Sequence, residues 1–146
     1  MDKSMSRTVD HLNSFLRGEL AAVETYRLAL KKLDQTPHRN MLEHCERSHA
    51  ERARVLMDEI RRYGGEPSQG SGPWGAFAKL VESGAVAFGE KAAILALEEG
   101  EDHGRDDYRR DLPDLVPSAR QRIENDVIPE QNRTHFAISR LKKQLS

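Results

Sequence analysis

The stretch CERSHAERARVL, residues 45–56, places an acid and an imidazole on the apolar face of a helix. Its inward positions belong to a longer stripe with alternating steps of three and four residues, which is typical of one buried helix face. The members of this stripe are Leu42, Glu46, His49, Ala53, Leu56, Ile60 and Tyr63. Ionisable groups on such a face require partners from other segments.

The preceding segment has the same periodicity and a single ionisable inward residue. Its stripe consists of Val9, Leu12, Leu16, Glu19, Val23, Tyr26, Leu30 and Leu33. Thr36 suits the N-cap of the next helix and Pro37 its first position. Gly64 and Gly65 favour a left-handed cap at its end. The pattern predicts an antiparallel hairpin of two helices over about residues 6–63.

The middle of the chain predicts a long crossover. Residues 64 to about 83 are rich in glycine, proline and serine, and their apolar patch consists of Trp74, Phe77, Leu80 and Val81. We expect an ordered connection with a short helix. About 20 extended residues reach roughly 66 Å, whereas a 26-residue helix is about 39 Å long. The crossover can therefore run the length of two packed helices.

Two further helical stripes follow the crossover and predict a second hairpin over about residues 84–145. The third stripe consists of Ala87, Ile94, Leu97, Glu101, Tyr108 and Leu112. The fourth consists of Ile123, Ile128, Gln131, His135, Ile138 and Leu145. Pro129 should kink this helix or delay its regular start. The whole chain, residues 1–146, is thus predicted to be one all-α domain, a four-helix bundle of ferritin-like topology.

The composition bears on which partners the chain can bind and in which cellular compartment we expect it. Lysine and arginine number 23 and aspartate and glutamate 24, so no excess charge recruits nucleic acid or an anionic membrane. The single cysteine, Cys45, excludes an internal disulfide and a thiolate metal cluster. No apolar run is long enough for a secretory signal or a membrane span. We expect a soluble, cytoplasmic protein.

Short motifs recur between the two predicted hairpins. GELAAVETY at 18–26 and GEDHGRDDY at 100–108 both place glycine before glutamate and tyrosine seven residues after it. ERSH at 46–49 is echoed by NRTH at 132–135. Each hairpin therefore offers a glutamate from its first helix and a histidine from its second, as a duplicated unit would.

This constellation is suited to binding metal ions. Glutamate and histidine three residues apart on a helix have Cβ atoms about 5 to 6 Å apart and can reach one ion. Burying Glu19, Glu46 and Glu101 as bare anions would be costly, and two divalent cations would neutralise them. Carboxylate and imidazole ligands suit iron, manganese or zinc.

The motifs resemble a known superfamily. GELAAVETY (18–26) followed by ERSHAER (46–52) resembles the first half of rubrerythrins and bacterioferritins, which are ferritin-like proteins. The whole chain, with GSGPWGAF (70–77) and LEEGEDHGRDDYRRDL (97–112), resembles a bacterial ferritin-like family of unknown function. The first likeness implies a di-metal carboxylate site; the second implies only a fold.

The resemblance implies metal ligands from all four helices: Glu19, Glu46, His49, Glu98, Glu101 and His135. Glu19 would be a terminal ligand and Glu46 a bridging ligand, with His49 on the first ion. Glu101 and His135 would hold the second ion. Two iron ions are the expected cofactor, with manganese or zinc as alternatives.

The fourth helix departs from the pattern of those enzymes. Asn132, preceded by Gln131, stands where they have a second bridging glutamate. An alternative to the metal site is a buried polar network in which Arg52 or Arg105 supplies the counter-charge. That network would give a stable scaffold without redox chemistry.

Three functions remain open from the sequence. The first is an iron-dependent oxidoreductase acting on dioxygen or peroxide, of peroxidase or ferroxidase type, with electrons from a separate donor. The second is a non-catalytic ferritin-like scaffold or stress-related interaction module with a vestigial metal site. The third is substrate hydroxylation, because residues 89–108 resemble the third helix of quinone-hydroxylating members. The chain could also form a homodimer.

Overall fold

A computed structural model describes residues 2–72 and 89–146 of the chain. They form these α-helices: α1 Lys3–Lys32, α2 Arg39–Arg62, α3 Glu90–Asp111, α4 Pro117–Asp126 and α5 Ile128–Gln144. A 3-10 turn, Leu112–Asp114, follows α3. The described ranges contain no β-strand, so the all-α prediction is confirmed. α4 and α5 occupy the place of the predicted fourth helix, which makes the fold compatible with a helical bundle.

The first connection is short, and α1 packs mainly on α2. The Oγ1 atom of Thr36 accepts a hydrogen bond of 3.1 Å from the backbone N–H of His38. This turn lies before the helix, so α2 begins at Arg39, two residues later than Pro37. The predicted end is confirmed: Gly64 has a φ of +81°, in the left-handed region that favours glycine.

Pro129 interrupts the last helical segment, as predicted. The chain leaves regular helix at Val127, between α4 and α5. Proline has no N–H, and its ring clashes with the carbonyl four residues earlier, here that of Asn125. The backbone N–H groups of Val127 and Gln131 still bond to the carbonyls of Ile123 and Val127, four residues earlier, so the helical phase continues across the interruption.

The buried residues of α5 continue the stripe of α4 in steps of three and four; the stripe consists of Ala119, Ile123, Val127, Gln131, Thr134, Ile138 and Leu141. Gln131 and Thr134 are buried, whereas Asn132 is exposed and His135 is half-buried. The continuous stripe expected from the sequence named Gln131 and His135 as inward. Thr134, and not His135, is the fully buried residue that follows Gln131. α5 packs mainly on α3.

The core consists of two apolar clusters. The first contains Val9, Leu12, Phe15, Leu16, Ala53, Val55, Leu56, Ile60, Tyr108, Leu115, Ala119, Ile123 and Val127. The second contains Tyr26, Ala29, Leu42, Cys45, Ala93, Ile94, Leu97, Ile138 and Leu141. Along the helices the two clusters are separated by buried polar residues, namely Glu19, His49, Glu101 and Gln131.

Part of the predicted crossover lies outside the described residues. The expected short helix with Trp74, Phe77, Leu80 and Val81 lies there, and so does the predicted start of the second hairpin near residue 84. Among the helices of residues 2–72 and 89–146, none combines the length and the apolarity that crossing a membrane requires.

Candidate functional site

Three of the predicted metal ligands meet in the core, between the two apolar clusters. Glu19 of α1, His49 of α2 and Glu101 of α3 are each at most 5% exposed. His49 Nδ1 lies 2.5 Å from Glu19 Oε1, and His49 Nε2 lies 2.8 Å from Glu101 Oε2. Carboxylates accept on both sides of the ring, so both ring nitrogens act as donors. His49 is therefore an imidazolium that joins three helices.

Two buried tyrosines donate further hydrogen bonds to the two carboxylates. The hydroxyl of Tyr26, on α1, donates to Glu101 Oε2 on α3 at 2.6 Å. The hydroxyl of Tyr108, on α3, donates to Glu19 Oε2 on α1 at 2.7 Å. The two repeated glutamate-to-tyrosine motifs thus exchange hydrogen bonds. Each tyrosine also packs in an apolar cluster, as its stripe position indicates.

Arg52 supplies a second buried positive charge. Arg52 is 1% exposed, and its Nη1 atom lies 3.6 Å from Glu19 Oε2. Its Nη2 donates to Thr134 Oγ1 at 2.9 Å. Thr134 Oγ1 in turn donates to Glu101 Oε1 at 2.9 Å. The guanidinium therefore contacts one carboxylate directly and reaches the other through a hydroxyl of α5.

The pKa values follow from this arrangement. Burial alone would raise the pKa of Glu101, but the charge and hydrogen bond of His49 and the charge of Arg52 lower it to about 2. Burial would also raise the pKa of Glu19, but the positive charges of Arg52 and His49 lower it below its usual value. Burial and Arg52 would lower the pKa of His49, but the two carboxylates raise it above its usual value. Two anions therefore balance two cations.

The other predicted ligands each contact a different polar side chain. Glu46 Oε1 is 2.7 Å from Arg27 Nε. Glu98 Oε1 is 2.7 Å from Lys142 Nζ. His135 Nε2 is 2.6 Å from Asp102 Oδ1.

These positions bear on whether the residues fit a two-ion metal centre. Across the described ranges, none of the six predicted ligands belongs to a group of three or more potential ligand atoms lying within 4.8 Å of one another. Both nitrogens of His49 face carboxylates, and the Arg52 cation lies beside Glu19. As the side chains lie here, the residues do not fit a two-ion centre.

Sequence reasoning missed some members of the site. Thr134 was not singled out; the signal was the stripe of Ile123, Val127 and Gln131, whose next step of three residues reaches Thr134. A second group, His11 with Asp111 and Asp114, was also missed, because the 3-10 turn brings Asp114 to α1. No sequence spacing indicates that approach.

The fold and the site define a helical-bundle protein with a charge-balanced polar centre in its core. The family described as "Domain of unknown function (DUF2383)" matches residues 7–113, and the chain belongs to that family. The matched range includes Glu19, His49, Arg52 and Glu101 and ends before α5. No curated protein and no solved structure matches the chain.

Removing the charge of Arg52 should strongly destabilise the bundle. Arg52→Met keeps an unbranched side chain but leaves a buried carboxylate uncompensated, so we expect the free energy of unfolding to fall by about 3 to 5 kcal/mol. Arg54→Met is the control, because the Arg54 side chain is 75% exposed. It should change the value by no more than about 0.5 kcal/mol. Urea denaturation measures both, and an equal effect of the two variants would contradict the assignment.

Stability should depend on pH through His49. Because the folded pKa of His49 is raised, its contribution is complete below the unfolded value of 6.5 and is lost as pH rises through the folded pKa. The stability difference between the native chain and His49→Gln should therefore shrink as pH rises above 6.5 towards the folded pKa of His49. Because the folded pKa of Glu101 is about 2, its contribution holds above the unfolded value and falls only in acid.

Urea denaturation from pH 5 to 9 tests this dependence. His44→Gln is the control, since His44 is exposed. A difference between the native chain and His49→Gln that stays constant with pH would show that the pKa of His49 is not raised in the folded state.

Proposed function

We propose that this protein is a ferritin-like scaffold whose core charges are balanced by Arg52 in place of metal ions, and that it acts through protein contacts rather than redox catalysis. The observation that carries the proposal is the buried guanidinium 3.6 Å from Glu19. A centre that is already neutral gains less from two divalent cations than one with bare carboxylates.

The order in which the two apolar clusters occur along each helix supports the ferritin-like topology with two antiparallel hairpins. In α1, residues of the first apolar cluster precede Glu19 and residues of the second follow it. In α2 and α3 the order is reversed around His49 and Glu101, and in the last segment it returns to that of α1. Two middle helices that run in one direction need a crossover between them, as in ferritin-like bundles.

A di-iron redox protein is the second candidate, favoured by the meeting of Glu19, His49 and Glu101. Bound iron would supply reactivity toward dioxygen or peroxide. Glu46 and His135 would have to leave Arg27 and Asp102 to serve as ligands. Arg52 would then be a cation beside the ions, which opposes their binding.

Metal content separates the two candidates. We expect the chain, purified from iron-supplemented medium without chelator, to hold far less than one equivalent of iron, manganese or zinc. Its melting temperature should not change on chelation, because no ion contributes to folding. Near two equivalents of iron, lost in Glu19→Gln, would overturn the scaffold proposal in favour of the di-iron centre.

The surface of α5 offers a contact for self-association into a homodimer. Phe136 is 65% exposed and lines a groove with Met41, Ala137 and Leu141. Exposed aromatic residues beside apolar grooves are typical of protein interfaces. A second copy of this chain would bury Phe136.

Sedimentation across a dilution series tests the homodimer. We expect the native chain to dimerise and Phe136→Ser to be monomeric at the same concentrations. Leu95→Ser is the matched control, because Leu95 is the other large apolar residue that is exposed among residues 2–72 and 89–146, and it lies outside this groove. A native chain that stays monomeric, or equal dimerisation of the Phe136 variant, would contradict the interface.

A further inference from the structure

A second polar cluster lies at the end of α3, separate from the buried network. It consists of His11 of α1, Asp111 of α3 and Asp114 of the 3-10 turn. One atom from each of these side chains, a ring nitrogen and two carboxylate oxygens, lies within 4.8 Å of the other two. The side chains of His11 and Asp114 are 22% and 55% exposed, so an ion in solution can reach the cluster.

The distances in this cluster match metal ligands better than hydrogen-bonded partners. His11 Nδ1 lies 3.6 Å from Asp111 Oδ2, and His11 Nε2 lies 3.5 Å from Asp114 Oδ2. Hydrogen bonds from nitrogen to oxygen are about 2.7 to 3.2 Å long. Two ligand atoms on one tetrahedral zinc ion, each about 2.1 Å from it, lie about 3.4 Å apart. By contrast, the ring nitrogens of His49 lie 2.5 and 2.8 Å from their two carboxylates.

Asp111 is held in place from its other side. Its two oxygens accept hydrogen bonds from Arg110 at 3.0 and 2.9 Å. A carboxylate oxygen has a second lone pair, so Asp111 Oδ2 can bind an ion beside His11 Nδ1 while it keeps Arg110. Such outer hydrogen bonds orient the carboxylates of metal sites. A single ion uses one ring nitrogen, and the exposed carboxylate of Asp114 must rotate toward it.

The charge of the surrounding groups favours a divalent cation. Arg110 Nη2 lies 3.0 Å from Asp107 Oδ1 and 2.9 Å from Asp111 Oδ2. Three carboxylates, those of Asp107, Asp111 and Asp114, thus accompany one guanidinium, and an imidazole that binds a metal must be neutral. These groups therefore leave two negative charges, and the negative end of the α3 dipole lies beside them. In the buried network, by contrast, the charges already balance.

We propose that His11, Asp111 and Asp114 bind one divalent transition-metal ion of the zinc type, which links α1 to the end of α3. The imidazole nitrogen selects zinc over magnesium and calcium, which take oxygen ligands. Three protein ligands leave the fourth tetrahedral position to water. For three ligands at a partly exposed position we expect a dissociation constant of roughly 10 to 100 μM. Purification therefore leaves the site empty, and a low metal content of the purified chain is compatible with it.

Calorimetric titration of zinc into the untagged, chelator-treated chain tests the site. In neutral buffer we expect one saturable equivalent with a dissociation constant in this range. A molar excess of magnesium or calcium should not displace the zinc, because neither ion favours an imidazole ligand. The histidine ring signals in NMR spectra locate the ion: zinc should shift those of His11 and leave those of His49 unchanged.

Removing one ligand should weaken zinc binding while the fold is kept. His11→Gln and Asp114→Asn should each raise the dissociation constant about tenfold or more, because two ligands remain. Asp114 is the most exposed of the three ligands, so its substitution tests the site with little risk to the fold. The matched controls are His44→Gln and Asp58→Asn, at exposed positions of α2, and both should bind zinc like the native chain.

Zinc binding that does not saturate, or that is equally tight in the native chain and in the His11 and Asp114 variants, would overturn the site. Displacement of zinc by magnesium would also overturn it, because the carboxylates alone would then hold the ion. Zinc that shifts the ring signals of His49 instead would place the ion in the buried network, which contradicts both this site and the scaffold proposal. The first two outcomes leave the scaffold proposal unaffected, so the two failures are distinguishable.

Discussion

The positive charge of Arg52 inside the bundle is the constraint on which the core depends. Two carboxylates, Glu19 and Glu101, are buried on neighbouring helices, and one imidazolium alone cannot neutralise both. Arg52 supplies the missing charge and reaches Glu101 through Thr134. The four helical segments are thereby joined at one level, between two apolar clusters that supply most of the hydrophobic burial.

Such a network determines how the helices align more than how strongly they associate. A buried ion pair is often no more stabilising than apolar residues of similar volume, but removal of one partner is costly. The reciprocal bonds of Tyr26 to Glu101 and Tyr108 to Glu19 link α1 to α3 in one register. A shift of either helix by one residue would leave a buried carboxylate without its donors. The polar centre therefore specifies the alignment.

Much of the fold could be predicted from the sequence because local rules determine it. The stripes of α1 and α2, the glycine cap at Gly64 and the interruption at Pro129 follow from periodicity and backbone chemistry. The meeting of Glu19, His49 and Glu101 followed from their inward positions. The partners of Glu46 and His135 could not be predicted, because a residue at the edge of a stripe can turn toward the core or toward a surface charge.

The sequence could not show whether metal ions or Arg52 neutralise the buried carboxylates, for a related reason. Both alternatives place the same carboxylates inward, and only the position of the guanidinium distinguishes them. Thr134 was missed because the predicted stripe took Ile128 as inward, whereas Val127 is the buried residue; Thr134 lies seven residues after Val127, as His135 does after Ile128.

The most direct test of the central claim is a double-mutant cycle between Arg52 and Glu19, with Arg52→Met, Glu19→Gln and the combined variant compared by urea denaturation. If Arg52 compensates this carboxylate, the combined variant should be more stable than Arg52→Met alone, with a coupling energy of about 2 kcal/mol or more. Additivity within about 0.5 kcal/mol would contradict the account, because the two charges would then stabilise the core independently.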